Sequence, residues 1–150
     1  MKIYTSYFAK AYQYPDDKYT CIAISVGIPK AIKVNKSYKK LAPLWDIIQE
    51  YKNNGGDIET YKSRYYNEVL NKLNVCEVYK DLEKLGDGKD VVLLCYEGIK
   101  NNDFCHRHLV SQWLRENGYK EEAPGELILN YYKNNKKILK PNIEVRRIEF

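Results

Sequence analysis

The chain has 150 residues, of which 44% are hydrophobic, so we expect one domain over residues 1–150 with a single core. Its 25 Lys and Arg residues against 20 Asp and Glu residues give a net charge of +5, and 15 tyrosines add amphipathic rings. No window approaches the ~18 apolar residues of a membrane span, and the N-terminus lacks the apolar core of a signal peptide, so a cytoplasmic protein with no membrane partner is predicted.

Two strands are predicted near the N-terminus. Residues 2–9 (KIYTSYFA) and 19–26 (YTCIAISV) are rich in β-branched and aromatic side chains. The intervening YQYPDD contains residues that favour turns. Each predicted strand has a small polar residue near its end, Ser6 in the first and Ser25 in the second, and both are candidate ligand-binding residues.

Three helices are predicted after these strands. Residues 41–54, 57–73 and 75–85 each repeat apolar side chains at the 3.6-residue period of a helix. Glycines directly after the first and the third of these segments can end the helix in the left-handed conformation.

A central strand is predicted at residues 90–97 (DVVLLCYE), because a nearly continuous apolar run is typical of a strand covered on both faces. After a short polar loop, Asp103 can cap a helix that ends at Asn117-Gly118. The core face of that helix carries Leu109, Val110, Trp113 and Leu114. In a C-terminal extension, residues 123–150, LILNYYKNNKK is compatible with a helix that has a basic end, and NIEVRRIEF is compatible with a strand.

The order of these elements predicts the fold class. Helices between the second and the third strand favour an α/β fold, a three-layer sandwich with a mainly parallel, Rossmann-like sheet. Ligands of such sheets bind outside the carboxyl ends of the strands, where helix N-termini open a crevice. The segment LLCYEGIKNNDFCHRHLV, residues 93–110, crosses that edge and contains both histidines and two of the four cysteines.

The first part of this segment ends the predicted strand. Cys95 and Glu97 are two residues apart, so they face the same side of the strand and look into the crevice. A carboxylate at the end of a buried strand must be solvated, paired or hydrogen-bonded. Glu97 either forms a structural ion pair with Arg107 or accepts a ligand hydrogen bond or proton while Arg107 holds a phosphate or carboxylate.

The second part of the segment begins the following helix. Cys105, His106 and Arg107 then lie in the first turn, where unpaired N–H groups and the positive end of the helix dipole favour an anion. His106 is expected to point toward the core and His108 toward water. The same environment stabilises the thiolate of Cys105 and permits nucleophilic or redox chemistry, while a buried cysteine that only packs is the alternative.

Other kinds of site receive less support from the sequence. The four cysteines contain no CxxC pair and the cytosol keeps thiols reduced, so no disulfide scaffold is expected, and Cys21 and Cys76 are predicted to be packing residues. Side chains of metal-ligand type occur at Cys95, Glu97, Cys105 and His106. Because neither CxxC, HxxxH nor HxH is present in a form that fixes two metal ligands on one face, no metal is predicted. The sequence has no GxGxxG, P-loop or GxSxG motif, so no cofactor is predicted either.

Two motifs of the segment occur together. Cys95-Tyr96-Glu97 ends a hydrophobic strand, and Cys105-His106-Arg107 begins the next helix. In this the chain resembles the domain of unknown function 488 (DUF488) family, and IYTSYFA, ISVGIP, LAP and YKSRYYNEVL extend the resemblance to about Glu122. The resemblance implies an α/β fold and a pocket formed by Cys95, Glu97, Cys105, His106 and Arg107, without a defined reaction. Many members have an Asp-x-Arg-like element where this chain has Ser25-Val26-Gly27, so no role of that arginine is transferred.

The leading hypothesis is a crevice that binds a phosphate-bearing ligand, a nucleotide or nucleic acid, and whether the chain also processes that ligand as an enzyme is left open. Arg107 and the helix N-terminus would hold the anion. The candidate catalytic residues are Cys105, His106 and Glu97. The candidate ligand-binding residues are Arg107, Cys95, Tyr96, Ser6 and Ser25.

Two alternatives remain open at this point. The first is a non-enzymatic nucleic-acid-binding module that uses the Lys-rich stretches NKSYKK and YKNNKK. The second is a thiol-redox or structural protein in which Cys95 and Cys105 pair transiently. The oligomeric state is not predicted.

Overall fold

The computed structural model describes residues 1–32, 34–96, 104–130, 133–134, 137–138 and 141–150. The strands in this part of the chain are β1 (Ile3–Tyr7), β2 (Tyr19–Ala23), β3 (Lys36–Ser37), β4 (Asp90–Cys95), β5 (Gly125–Asn130), β6 (Lys133–Asn134), β7 (Lys137–Ile138) and β8 (Asn142–Arg146). Six of them form the main sheet in the order β3-β2-β4-β1-β5-β8, and β6 pairs with β7.

The main sheet is mostly parallel. β4 lies between β2 and β1 in parallel register, β3 is parallel to β2, and β5 is parallel to β1. Only β8 at one edge of this described sheet runs antiparallel, beside β5. Parallel neighbours need long crossover connections, and α-helices lie along the chain between β2 and β4 and between β4 and β5. The predicted α/β class with a mainly parallel sheet is therefore confirmed.

The α-helices of the described residues are α1 (Trp45–Asn53), α2 (Ile58–Glu68), α3 (Val75–Gly86) and α4 (His106–Glu116). Short 3-10 helices span Phe8–Gln13, Lys39–Leu41 and Leu70–Lys72. α1 begins later than predicted because Leu44 has an extended backbone, with φ −68° and ψ 146°. α2 ends earlier than predicted because Val69 leaves the helical conformation, with φ −120° and ψ −68°. The helical spacing of apolar residues in the sequence extends beyond Val69, because Leu70 is buried although it belongs to the following 3-10 helix.

All four α-helices pack on one face of the sheet. Their apolar side chains form one cluster with strand residues such as Ile22, Val91 and Leu93, which are fully buried. The opposite face is covered by the 3-10 helix Phe8–Gln13, which packs against a second cluster that includes Val92 and Leu94 of β4. Burying a large apolar side chain contributes about 1.5–3 kcal/mol, so a central strand buried on both faces anchors the layers on either side of it.

The C-terminal residues differ from the prediction in one place. The stretch predicted as compatible with a helix, LILNYYKNNKK, begins in strand β5, so that prediction is wrong there. A short apolar run does not distinguish a buried strand from a helix. The predicted strand in NIEVRRIEF is confirmed as β8. Among the described helices the longest has 12 residues, and none has the length and apolar character needed to cross a membrane.

Candidate functional site

The carboxyl ends of three parallel strands meet at one edge of the sheet. Tyr7, the last residue of β1, lies in register with Cys95, the last residue of β4. Directly after β2, the N–H of Ile24 donates to the carbonyl of Leu94 at 2.9 Å. Cys95 is fully buried among these strand ends. This is the edge at which a ligand site was predicted.

Cys105 lies just before the first turn of α4. The helix begins at His106, and Cys105 is its N-cap residue with an extended backbone, φ −152° and ψ 151°. The predicted cap, Asp103, lies outside the described residues, as does Glu97. Cys105 is half-buried, in contrast to the fully buried Cys95.

The two cysteines are joined. A disulfide links Cys95 to Cys105 across a sequence separation of 10 residues. No disulfide scaffold was expected, but pairing of these two thiols was one of the open alternatives. Of the other cysteines, Cys21 is buried, whereas Cys76 is exposed and its predicted packing role is wrong. Cys76 lies on the solvent side of α3, whose buried side carries Val78 and Leu82.

His106 is buried beside the disulfide, as predicted. Its Nε2 is 2.6 Å from the carbonyl oxygen of Ile24, and since a carbonyl only accepts, Nε2 carries the proton. Burial lowers the pKa of His106 to about 4, so the ring is neutral at pH 7. Its other nitrogen, Nδ1, therefore holds a lone pair, and it is 3.6 Å from Sγ of Cys105.

Arg107 lies beside the sulfur of Cys95, with only 1% of its surface exposed. Its Nη1 is 3.4 Å from Sγ of Cys95 and 3.4 Å from the carbonyl oxygen of Tyr96. Its Nη2 donates to Oε2 of Glu126 at 2.9 Å. The guanidinium carbon lies 5.5 Å from the centre of the Tyr7 ring. The ion-pair partner of Arg107 that the structure shows is thus Glu126 of β5.

Glu126 is held in place by two partners. Burial alone would raise the pKa of this carboxyl, but the hydrogen bonds and charge of Arg107 outweigh burial and hold the pKa below its usual range. The hydroxyl of Thr5 also donates to Oε1 of Glu126 at 2.7 Å. Sequence reasoning missed Glu126 because this residue directly precedes the stretch compatible with a helix, LILNYYKNNKK, and was assigned to no element. The available signal was a single carboxylate within the apolar run GELIL, which requires a partner when buried.

His108 was predicted to face water, and this is wrong because only 2% of its surface is exposed. The ring of Phe150, at the end of the chain, lies 5.7 Å from the His108 ring and covers this side of α4. The helical period assigned His108 to the outer face, but it does not show that a distant segment covers that face.

The side chains of Ser6, Ser25 and Tyr96 contact other groups, although the carbonyl oxygen of Tyr96 lies 3.3 Å from Sγ of Cys95. Ser6 is buried, with its Oγ 2.7 Å from the hydroxyl of Tyr14. The hydroxyl of Ser25 donates to the carbonyl of Gly27. Tyr96 is 49% exposed and packs edge-on against Phe8, with ring centres 5.1 Å apart.

A cavity of about 210 Å³ lies beside the site, next to Tyr7 and Glu126. Ser6, Lys10 and Arg146 also line it, so two cationic side chains and polar hydroxyl groups border the same space. Neither sulfur lines the cavity, but two of its lining residues, Tyr7 and Glu126, contact Arg107.

Residues 9–118 of the chain match the family model DUF488-N3a, which is described as the active DUF488-N3 subclade. The chain belongs to the DUF488 family. No curated protein and no solved structure matches the chain. The matched range contains Cys95, Cys105, His106 and Arg107, whereas Glu126 lies beyond it.

The site of this DUF488 protein gives its two sulfurs different environments. Cys105 is half-buried at a helix N-terminus, beside the lone pair of His106. Cys95 is fully buried, beside the positive charge of Arg107. A helix N-terminus and a nearby guanidinium each stabilise a thiolate. The arrangement therefore suits one accessible reacting thiol and one protected partner thiol.

Proposed function

We propose that this DUF488 protein is a thiol-dependent enzyme that exchanges disulfides, with Cys105 as the reacting thiol and Cys95 as the resolving thiol. The observation that carries the proposal is the Cys95–Cys105 bond between the lone pair of His106 and the guanidinium of Arg107. The description of the matched family model as an active subclade supports an enzymatic role. We place the reaction in the cytoplasm, where small thiols return such a pair to the dithiol.

The reaction balances as a two-electron exchange. In the dithiol form, Cys105 gives its proton to solvent, the N-terminus of α4 stabilises the resulting thiolate, and the thiolate attacks one sulfur of a substrate disulfide. The substrate S–S bond breaks, and the leaving sulfur takes a proton. Cys95 then attacks Sγ of Cys105, the second substrate sulfur leaves as a thiol, and the protein holds the Cys95–Cys105 disulfide. Two molecules of an external thiol then reduce that disulfide to the dithiol, become one disulfide themselves and close the cycle.

An aromatic disulfide whose released thiol absorbs light tests this scheme. All proteins in the test carry Cys76→Ser, which removes the exposed cysteine outside the site. The reduced parent releases two equivalents of thiol, since Cys95 resolves the mixed disulfide. Adding Cys95→Ser stops the reaction after one equivalent, and adding Cys105→Ser removes the fast release. If the variant with Cys105→Ser releases the aromatic thiol as fast as the parent does, the proposal is contradicted.

A second candidate function is binding of a phosphate-bearing ligand, a nucleotide or nucleic acid, in the cavity beside the site. The observation that favours it is the pair of cationic side chains, Lys10 and Arg146, in a cavity that Tyr7 and Ser6 also line. Cations bind phosphate, and tyrosine rings can stack on a base. Arg107 contacts Glu126 and Tyr7, which both line this cavity, so it helps to hold two of the lining side chains in place.

Titration with a nucleoside triphosphate tests the second candidate. Lys10→Gln is expected to weaken binding by about tenfold, the effect of losing one charge-assisted contact of ~1.4 kcal/mol. Lys18→Gln is the matched control, since Lys18 is an exposed lysine outside the cavity lining. Equal affinity of the Lys10 variant and the parent contradicts a ligand in this cavity. If single-stranded nucleic acid binds with steep salt dependence and both variants weaken it equally, the non-enzymatic binding module is favoured instead.

A further inference from the structure

A second kind of chemistry is available at the same end of the sheet when the two cysteines are reduced. Sγ of Cys95, Sγ of Cys105 and a ring nitrogen of His106 all lie within 4.8 Å of one another. The sequence spacing did not predict a metal site, because no two of these residues are spaced to share one face of a helix or strand. The fold supplies the proximity instead, since it places the end of β4 against the start of α4.

The distance between His106 and Cys105 matches a tetrahedral site. With a Zn–S bond of ≈ 2.3 Å and a Zn–N bond of ≈ 2.0–2.1 Å, two ligands at the tetrahedral angle are about 3.6 Å apart. Nδ1 of His106 is 3.6 Å from Sγ of Cys105. The two atoms thus already have the separation of two ligands of one zinc ion.

The hydrogen bonding of His106 leaves the correct nitrogen available. Nε2 donates to the carbonyl oxygen of Ile24 at 2.6 Å, so the lone pair is on Nδ1, which faces the sulfur. Histidine ligands of metals commonly donate their other ring N–H to a carbonyl or carboxylate, which fixes the tautomer and the ring orientation. Ile24 supplies that supporting contact, and it belongs to the chain directly after β2.

The surroundings of Cys95 suit a second thiolate ligand. Nη1 of Arg107 is 3.4 Å from Sγ of Cys95, and it can donate to a metal-bound thiolate in the same position. The Cα atoms of Cys95 and Cys105 are 7.3 Å apart, wider than the ~4.4–6.8 Å usual for a disulfide. Ligand sulfurs of one zinc ion are about 3.8 Å apart, so this backbone spacing leaves room for an ion between them.

We propose that the reduced protein binds one zinc ion through Sγ of Cys95, Sγ of Cys105 and Nδ1 of His106. Two thiolates and an imidazole select a soft or borderline cation, and they disfavour Mg²⁺ and Ca²⁺, which require oxygen ligands. Three protein ligands is the number found in catalytic zinc sites, in which the fourth position takes water or substrate. The site shares its cysteines with the thiol-exchange proposal but does not depend on it.

Zinc binding and the disulfide exclude each other. Both sulfurs must be thiolates to bind the zinc ion. In the disulfide the two sulfurs are oxidised by two electrons and joined to each other, so neither is a thiolate. If a small-molecule disulfide oxidises the zinc form, the two thiolates give two electrons, the oxidant takes them with two protons to become two thiols, and the zinc ion is released. The oxidised protein is therefore a control with an unchanged sequence and fold.

The test uses the full chain with Cys76→Ser, reduced by a phosphine and freed of metal, in competition with a chromophoric zinc chelator. One zinc ion per chain is expected, with release of that ion when a small disulfide is added. Cys105→Ser and His106→Gln are each expected to weaken binding by about 100-fold or more, at least the loss seen for supporting residues of metal sites. Cobalt(II) is a second probe, and it is expected to give the intense near-ultraviolet band of cobalt–thiolate bonds.

The outcomes separate this inference from the proposed enzyme. Reduced protein that binds zinc no more tightly than its oxidised form overturns the zinc site, whatever its exchange activity. Zinc binding that is unchanged by Cys105→Ser also overturns it, because the ion would then lie elsewhere. Stoichiometric zinc binding lost on oxidation supports the site even where the exchange assay finds no thiol release.

Discussion

Arg107 and Glu126 form a buried ion pair that ties the start of α4 to strand β5. Nη2 of Arg107 lies 2.9 Å from Oε2 of Glu126, and the two side chains are 1% and 7% exposed. Arg107 lies inside the range that matches the family model and Glu126 lies outside it. The residues after the matched range therefore contribute directly to the surroundings of the two sulfurs.

Arg107→Ala is expected to destabilise the fold strongly, because it leaves the carboxylate of Glu126 buried without its charge partner. Removing one member of a buried pair costs about 3–5 kcal/mol in the free energy of unfolding. Arg146→Ala is the matched control, since its pair with Glu144 is solvent-exposed and such pairs contribute ~0–1 kcal/mol. Urea denaturation measures both values, and equal losses for the two variants would show that the buried pair contributes no more than a surface one.

Stability is expected to fall in acid partly through Glu126. The folded pKa of this carboxyl is lower than its ordinary value of 4.5, so the unfolded chain binds a proton at a higher pH than the folded one does. Its contribution is fully present above that ordinary value and is lost as the pH falls through the folded pKa. Glu126→Gln should therefore flatten the dependence of the free energy of unfolding on pH below about 4.5. A variant whose curve stays parallel to that of the native protein would contradict this assignment.

Gly125 is expected to resist substitution at the start of β5. Its φ is +129°, and a Cβ built there would lie 2.5 Å from the carbonyl oxygen of Arg146 on the neighbouring strand β8. Gly125→Ala should lower the free energy of unfolding by more than the ~1–2 kcal/mol of backbone strain alone. Gly88→Ala is the control, since Gly88 also has a positive φ but a Cβ there meets nothing within 4 Å. Thermal unfolding of the two variants compares them, and a smaller loss at Gly125 would contradict the close approach.

Local sequence patterns were sufficient to predict the centre of the fold. The apolar run of β4 predicted a strand buried on both faces, and Val91 to Cys95 are all buried. A helix start with Asp103 as the cap was predicted at the carboxyl edge of the sheet, and α4 begins at that edge but two residues later, at His106 with Cys105 as its N-cap. Both predictions depend on the period and on the ends of single elements, which neighbouring residues determine.

Local sequence patterns could not predict which distant residues contact the site residues. Glu126 is 19 residues from Arg107 and belongs to a strand whose pairing with β1 is not visible in its own sequence. His108 is buried because Phe150 packs over it, and Lys62 reaches the backbone of Phe150 from α2. Contacts between residues far apart in the sequence depend on the topology of the whole sheet. The spacing of residues in the sequence therefore predicted neither the cluster of Cys95, Cys105 and His106 nor the buried Arg107–Glu126 pair.

Disulfide mapping tests most directly whether Cys95 and Cys105 form one reactive pair. The reduced native chain is oxidised with a small disulfide, its remaining thiols are alkylated, and its proteolytic peptides are identified by mass. A single linked pair of peptides is expected, one with Cys95 and one with Cys105, which a dithiol reductant separates, while Cys76 is recovered outside that link. Recovery of Cys95 and Cys105 as separately alkylated thiols after oxidation would contradict it.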